Sequence, residues 1–219
     1  GSQLPPLGGI HFSPYFADQD WKNPDRERYM NELKKYRPHL ASVLDWEQPE
    51  QLDEVLGWAE DAARYIDTVM IIPKVINGVC RLPSMIGGKP IRLGYSVPTK
   101  FGGTPVPYSE FRDWPVHLLG GSPHRQRRLS AFMNVASLDG NYAQKMAVNF
   151  NKFWRRGKWV RLDEDGGYIA NDAPYEAFQR SCKNIIAMWR GLHVPANNPN
   201  AGDAQSLFYQ QGSFAFPGT

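Results

Sequence analysis

Thr68-Val69-Met70-Ile71-Ile72-Pro73 is the stretch whose reading decides the fold. It is rich in β-branched residues and almost continuously apolar. That pattern marks a strand covered on both faces, and strands of that kind belong to parallel sheets. The neighbouring sequence supports this. Upstream, Pro49 opens a helix predicted over 49–65. Glu50, Asp53 and Glu54 suit its positive N-terminal end, and Leu52, Val55, Leu56, Ala59, Ala62, Ala63 and Ile66 recur at helical spacing. Before it, Leu40 to Leu44 is a short apolar strand. A helix over 25–36 precedes that strand, with Tyr29, Met30, Leu33 and Tyr36 on one face and Pro38 as its stop. Residues 10–16 read as a short first strand.

Downstream, Ile91 to Tyr95, Val116 to Leu119 and Phe132 to Ala136 are further strands, and a helix is expected over 142–155. Residues 159–170 read as a hairpin or an irregular crossing, with Asp165-Gly166-Gly167 as the turn signal. A last helix runs over 173–191, with Asp172 as N-cap and Phe178, Cys182, Ile185, Trp189 and Leu192 on its buried face. Apolar strands alternating with helices define an α/β fold. The favoured architecture is a TIM-like (β/α) barrel, compact or incomplete, with a doubly wound sheet as the alternative. Residues 1–194 make one barrel-like domain. Residues 195–219, dominated by Asn, Pro, Gly, Ser and Gln, read as an irregular tail.

Composition narrows the function classes. The 219 residues are enough for a core without staples, and 42% hydrophobic with 21% charged residues is an ordinary globular balance. No apolar run approaches the roughly 20 residues of a spanning helix, and the start lacks a signal-peptide pattern. The two cysteines, Cys80 and Cys182, are too few for a four-cysteine zinc site and read as reduced thiols of a cytoplasmic protein. No histidine has metal-ligand spacing, and no glycine-rich nucleotide motif opens a helix. Neither a metal nor a cofactor is expected.

In a barrel, the loops after the strands gather at one mouth and carry the chemistry. That rule selects Asp45, Trp46, Glu47, Lys74, Tyr95, Ser96, Gly120, Gly121, Ser122, Asn134, Asp139 and Asn141. Asp45 ends a strand, where its carboxylate can accept hydrogen bonds from a base, or else caps the helix that follows. Asp139 suits a nucleophile or general base, or simply a tight Asp-Gly turn. Gly120-Gly121-Ser122-Pro123 lets a ligand approach the backbone and leads into a helix start that attracts phosphate. Two basic clusters follow. One contains Arg125, Arg127 and Arg128. The other contains Arg155 and Arg156, interleaved with Phe153, Trp154 and Trp159. Cations mixed with aromatics suit a phosphate backbone with bases stacked beside it, or a solvated helix face.

The order of these segments resembles the tRNA-guanine transglycosylase superfamily. Leu44-Asp45-Trp46-Glu47 is similar to its base-recognising strand end, and Val69-Met70-Ile71-Ile72-Pro73 to the strand that follows. Leu93-Gly94-Tyr95-Ser96 is similar to its glycine-bearing strand end, and His117-Leu118-Leu119-Gly120-Gly121-Ser122-Pro123 to its Leu-Met-Gly-Val-Gly segment. The resemblance covers roughly residues 40–156. The family nucleophile falls on Asn134 in this register, and Asp139 is the carboxylate that would take its place. The zinc ligands of the tRNA enzymes have no counterpart, which directs the resemblance to the phage-type, DNA-guanine branch. It implies exchange of guanine for a free 7-deazaguanine base in nucleic acid, DNA rather than tRNA, in the cytoplasm of a bacterial or phage-infected cell. Asp45 would read the base, Asp139 would attack the sugar, and Arg125, Arg127, Arg128, Arg155 and Arg156 would hold phosphates. The alternatives are a non-catalytic nucleic-acid-binding barrel, a base glycosylase, and a small-molecule barrel enzyme.

Overall fold

The computed structural model describes residues 15–20, 22–99, 102–165 and 173–191. The tail expected over 195–219, the Asp172 cap, the Gly166-Gly167 turn and Leu192 lie outside the described residues.

The backbone of the molecule is a curled parallel sheet. Its strands are β1 (Phe16–Ala17), β2 (Leu40–Ser42), β3 (Thr68–Ile71), β5 (Lys89–Ser96), β6 (Pro115–Leu119) and β7 (Asn134–Leu138), adjacent in that order and parallel throughout. A short β4 (Met85–Ile86) lies antiparallel on the first residues of β5. Between the strands run α1 (Arg26–Tyr36), α2 (Leu52–Ala63) and α3 (Pro123–Leu129). Asp25 caps α1 by accepting the Arg28 N–H, and Arg37 ends it in a left-handed conformation, so Pro38 lies beyond the stop it was expected to impose. Ahead of α2, Pro49–Gln51 form a single 3-10 turn.

Side chains alternate across the sheet, and the two faces differ. Ala41, Val43, Val69, Ile71, Ile91, Leu93, Val116 and Leu118 point outward into the main core, where Val55, Trp58, Ala59 and Ala62 of α2 and Leu33 of α1 cover them. Each buried aliphatic side chain there contributes roughly 1.5–3 kcal/mol. The concave face carries Leu40, Met70, Ile72 and Leu119, with Tyr15 and Phe16 folded over them. The Phe16 ring lies 4.9 Å from the His117 ring, although β2, β3 and β5 separate their strands in the sheet. That contact measures the curl, and the result is a parallel half-barrel rather than a flat doubly wound sheet.

After β7 come α4 (Tyr142–Phe150), the antiparallel pair β8 (Lys152–Arg155) and β9 (Lys158–Arg161), and α5 (Ala173–Arg190). They bury a separate small core of Ala147, Phe153, Leu162, Ala173 and Ala177. This corrects the sequence reading twice. The helix expected over 142–155 stops at Phe150, and Asn151 turns it in a left-handed conformation. The hairpin turns at Arg156-Gly157, not at Asp165, which instead lies in a 3-10 turn. The buried stripe of α5 is Ala173, Ala177, Ser181 and Trp189, with Phe178 and Cys182 only half-buried beside it.

Candidate functional site

The site forms where the parallel strands end. Beyond β1 comes Asp18, beyond β2 Asp45 and Glu47, beyond β3 Lys74, beyond β6 Gly120, and beyond β7 Asp139. Parallel strands share one carboxyl-end rim, so residues far apart in the chain meet there. Asp18 is near enough to feel the negative charge of both Asp139 and Asp45.

Lys74 bridges one side of the rim. Its Nζ lies 2.7 Å from Asp45 Oδ2 and donates a 2.8 Å hydrogen bond to Glu47 Oε1. Burial raises the Asp45 carboxyl above its ordinary range, and the Lys74 contact opposes that rise. Burial alone would lower the Lys74 ammonium, but its bonds to Asp45 and Glu47 outweigh it and raise the group instead. Lys74 therefore holds its charge at neutral pH, and that charge favours the ionised form of Asp45.

Asp18 is held by its neighbours. The Ser42 hydroxyl donates to Asp18 Oδ1 at 2.6 Å, and the Gln19 N–H donates to Ser42 Oγ. Tyr29 braces the same corner, its hydroxyl donating to the Ser42 and Ala17 carbonyls, and burial raises its phenol. The Asp18 residue reaches solvent, yet its crowded surroundings desolvate the carboxyl and raise it, with the charges of Asp139 and Asp45 adding to the rise.

Behind Asp139 stands a buried polar chain. Arg92 Nη1 donates to Ser137 Oγ (2.9 Å) and to the Tyr15 hydroxyl (3.3 Å), and Ser137 Oγ lies 2.7 Å from His117 Nδ1. His117 is fully buried, and its Nε2 lies 3.8 Å from Asp139 Oδ1, too far for a hydrogen bond. Ser137 already accepts from Arg92, so its own proton is the one left to donate to His117 Nδ1. This assigns the ring proton to Nε2, facing Asp139. His117 Nε2, Arg92 Nε and Gln19 Oε1 are buried and make no hydrogen bond.

Asp139 is fixed from the backbone side. Its Oδ1 accepts the Gly120 N–H at 2.8 Å, and its own N–H donates to the Leu118 carbonyl. The Gln126 amide donates to the Gly120 and Asp139 carbonyls at 2.9 and 2.6 Å, tying both loops to α3. Gly120 has φ of +68°, a region that favours glycine. The Asp139 side chain remains 38% exposed at the rim.

The remaining expected residues divide. Trp46 is fully buried, its indole N–H donating to the Gln48 carbonyl, so it forms core and offers no surface to a ligand. Tyr95 is also sealed in the outer core, edge-on to Phe111. Alternation along β5 turns Tyr95 outward with Ile91 and Leu93, whereas Trp46 reaches the main core after the bend at Leu44 that follows β2. Asn134 begins β7, paired with Pro115, at the opposite end of the strand from Asp139. Gly121 packs against Val97, and Ser122 caps α3 through the Arg125 N–H. Ser96 ends β5 with its carbonyl accepting the Thr104 N–H, and Asn141 starts α4 without a side-chain cap. The Arg125 guanidinium donates to the Pro98 carbonyl, while Arg127, Arg128, Arg155 and Arg156 are exposed.

A family model described as a family of unknown function, DUF6610, matches residues 10–190. The chain belongs to the DUF6610 family. The match spans the half-barrel, the rim and the C-terminal layer. No curated protein and no solved structure matches the chain.

Sequence reasoning missed Asp18, Ser42, Arg92 and Ser137. Alternation along β2, β5 and β7 carried the signal for the last three, because each is a polar residue at an inward position of an otherwise apolar strand. Burial pushes the Cys182 thiol up to about 12, which removes it as a nucleophile. Ser137 is buried beneath His117 and cannot reach a substrate. Among the described residues no cluster of three or more His, Cys, Asp or Glu side chains is arranged to hold a metal, and no helix is long and apolar enough to cross a membrane.

Proposed function

We propose that the rim exchanges a guanine in nucleic acid, DNA in preference to tRNA, for a free 7-deazaguanine, and that the curled sheet is an abbreviated TIM-like (β/α) barrel. The observation that carries this reading is the placement of Asp18, Asp45 and Asp139 just beyond the carboxyl ends of the parallel strands β1, β2 and β7. Asp139 is backed by a buried histidine, and Asp45 is held by a lysine.

In this mechanism a base is turned out of the stack into the concavity. Asp45, ionised beside Lys74, accepts hydrogen bonds from the N–H and amino edge of guanine. Asp139 Oδ2 attacks C1′ of the sugar, and the C1′–N9 bond breaks with its electron pair passing to N9. The Asp18 carboxyl, which keeps its proton above the ordinary range, protonates the departing guanine. The sugar is left as an ester of Asp139. The incoming base gives its N9 proton to Asp18, its N9 attacks C1′, and the Asp139 carboxylate leaves. His117 Nε2–H, held by Ser137, positions Asp139 and steadies its charge.

The chain's own register argues for Asp139 over Asn134, because only Asp139 stands at the carboxyl-end rim. The test is incubation with DNA or tRNA and labelled guanine or 7-deazaguanine. Label should enter the polymer, at a rate set by the protein. No incorporation into either polymer, under conditions where the polymer binds, would overturn the reading.

A further inference from the structure

Away from the rim, the described residues form a second concavity of about 860 Å³. Its walls come from α3, the β8–β9 turn and α5. They carry His124 and Arg127, Arg155 and Arg156, and Arg180 and Lys183, with no Asp or Glu among the lining residues. Arg180 has a carboxylate partner, Glu176, one turn back on α5. Six basic side chains on three elements, five of them permanently charged, therefore face one groove, and their summed field attracts a polyanion.

The aromatic residues decide which part of the polyanion is read. Phe153 and Trp154 also border the groove, and the sequence suggests them as stacking platforms. Both are almost wholly buried, Phe153 under the Arg180 guanidinium 5.3 Å above its ring and Trp154 against Trp159. They present no open face on which a base could stack. Such a groove offers cations for phosphates; the one uncharged amide among its lining side chains, Asn184, is already bonded to the Trp154 carbonyl.

We infer that the groove between α3, the β8–β9 turn and α5 binds the phosphodiester backbone of a single nucleic-acid strand without reading its sequence. This assigns His124, Arg180 and Lys183 to strand binding beside Arg127, Arg155 and Arg156. The inference extends the base-exchange reading by naming how the polymer is held while base selection stays at the rim. α3 links the two places, because it follows Gly120-Gly121 and ties to the Asp139 loop through Gln126.

The test is binding of labelled single strands to the whole protein, followed by fluorescence anisotropy from 50 to 200 mM salt. With about four phosphates engaged, affinity should fall about 50-fold over that range and be alike for unrelated sequences. The variant Arg127→Gln with Arg156→Asn removes two exposed cations on separate elements, and Asn tolerates the φ of +46° at Arg156. It should bind more weakly and lose only about 7-fold over the same range. Lys34→Gln with Lys35→Gln, on α1, removes the same charge away from the groove and should change little.

Failure of the strand to bind at 50 mM salt, or equal weakening by the α1 variant, would overturn the inference. So would strong sequence dependence, or binding confined to vesicles of anionic lipid. Asp139→Asn should keep groove binding and lose exchange if both proposals hold; groove binding by a native protein that shows no exchange activity refutes base exchange alone. Exchange that proceeds normally in the groove variant refutes the groove alone.

Discussion

The rim and the basic groove carry opposite charge and are supported in opposite ways. At the rim, each carboxylate has a partner behind it: Ser42 for Asp18, Lys74 for Asp45, and the Gly120 N–H with the His117 chain for Asp139. In the groove, Arg127, Arg155 and Arg156 extend from the surface into solvent. The difference teaches where precision is stored. Geometry for bond breaking needs side chains locked by a further layer, whereas a field that gathers phosphates needs only the right sign in roughly the right place. Substitution should therefore be costly behind the rim and mild in the groove.

The largest contrast is expected from Asp139→Asn. Removing the attacking carboxylate should lower exchange roughly a thousandfold or more, with strand affinity unchanged in an anisotropy titration. A variant with near-normal turnover would break the comparison at its centre.

Next is His117. His117→Phe keeps the bulk and removes the Nε2–H, and should lower kcat roughly 10- to 100-fold with little change in KM. His117→Gln retains a donor near that position and should recover part of the loss. Equal losses in both variants would mean that His117 acts only by filling space. The tautomer is measurable without turnover: nitrogen NMR of the histidines should place the His117 proton on Nε2, and Ser137→Ala should release that preference.

The supporting layer should also be visible in stability. Ser137→Ala leaves Arg92 Nη1 and His117 Nδ1 without their shared partner and should cost about 1–3 kcal/mol. That corresponds to a fall in Tm of roughly 2–4 °C per kcal/mol for a chain of this size. Arg127→Gln, exposed in the groove, should stay within about 0.5 kcal/mol. Similar thermal shifts for the two would show that the rim has no special supporting layer.

The smallest expected effect concerns pH. Asp18 and Asp45 are both raised in the folded protein. The folded state thus holds these protons more tightly than the unfolded chain does. The stability they contribute is fully present below their unfolded values, near 3.8, and is lost as pH rises through the raised folded values. Asp18→Asn keeps an acceptor for Ser42 and removes one of these titrations. Its Tm should decline less than that of the native protein as pH rises from the ordinary carboxylate range toward neutrality. An unchanged profile would remove Asp18 from the account as a proton donor.

Legibility in the sequence followed the same division. The half-barrel was readable because Thr68–Ile71 is apolar on both faces and α2 repeats at helical spacing, both consequences of burial. Asp45, Lys74 and Asp139 were readable as strand ends. Asp18 was not, because β1 has only two residues and too short a pattern to mark where it ends. The C-terminal layer was misread for a local reason. Its hairpin turns on Arg156 and Gly157, with φ of +46° and +86°. A two-residue turn with both centres at positive φ is normally announced by Asn-Gly or Asp-Gly, and Arg gives no such signal. Trp46 and Tyr95 were assigned to the site because they adjoin it in sequence, but alternation along β5 turned Tyr95 to the other face and the bend after β2 carried Trp46 into the core.

The central claim, that Asp139 attacks a sugar from the rim of the half-barrel, is tested most directly by trapping the covalent intermediate. Protein and labelled oligonucleotide would be mixed without a second base, denatured, digested and mapped by mass spectrometry. The account predicts a nucleic-acid adduct on the peptide that carries Asp139, absent from Asp139→Asn and still formed when the groove arginines are neutralised at saturating strand. An adduct on any other residue, or exchange that proceeds with no adduct at all, would contradict it.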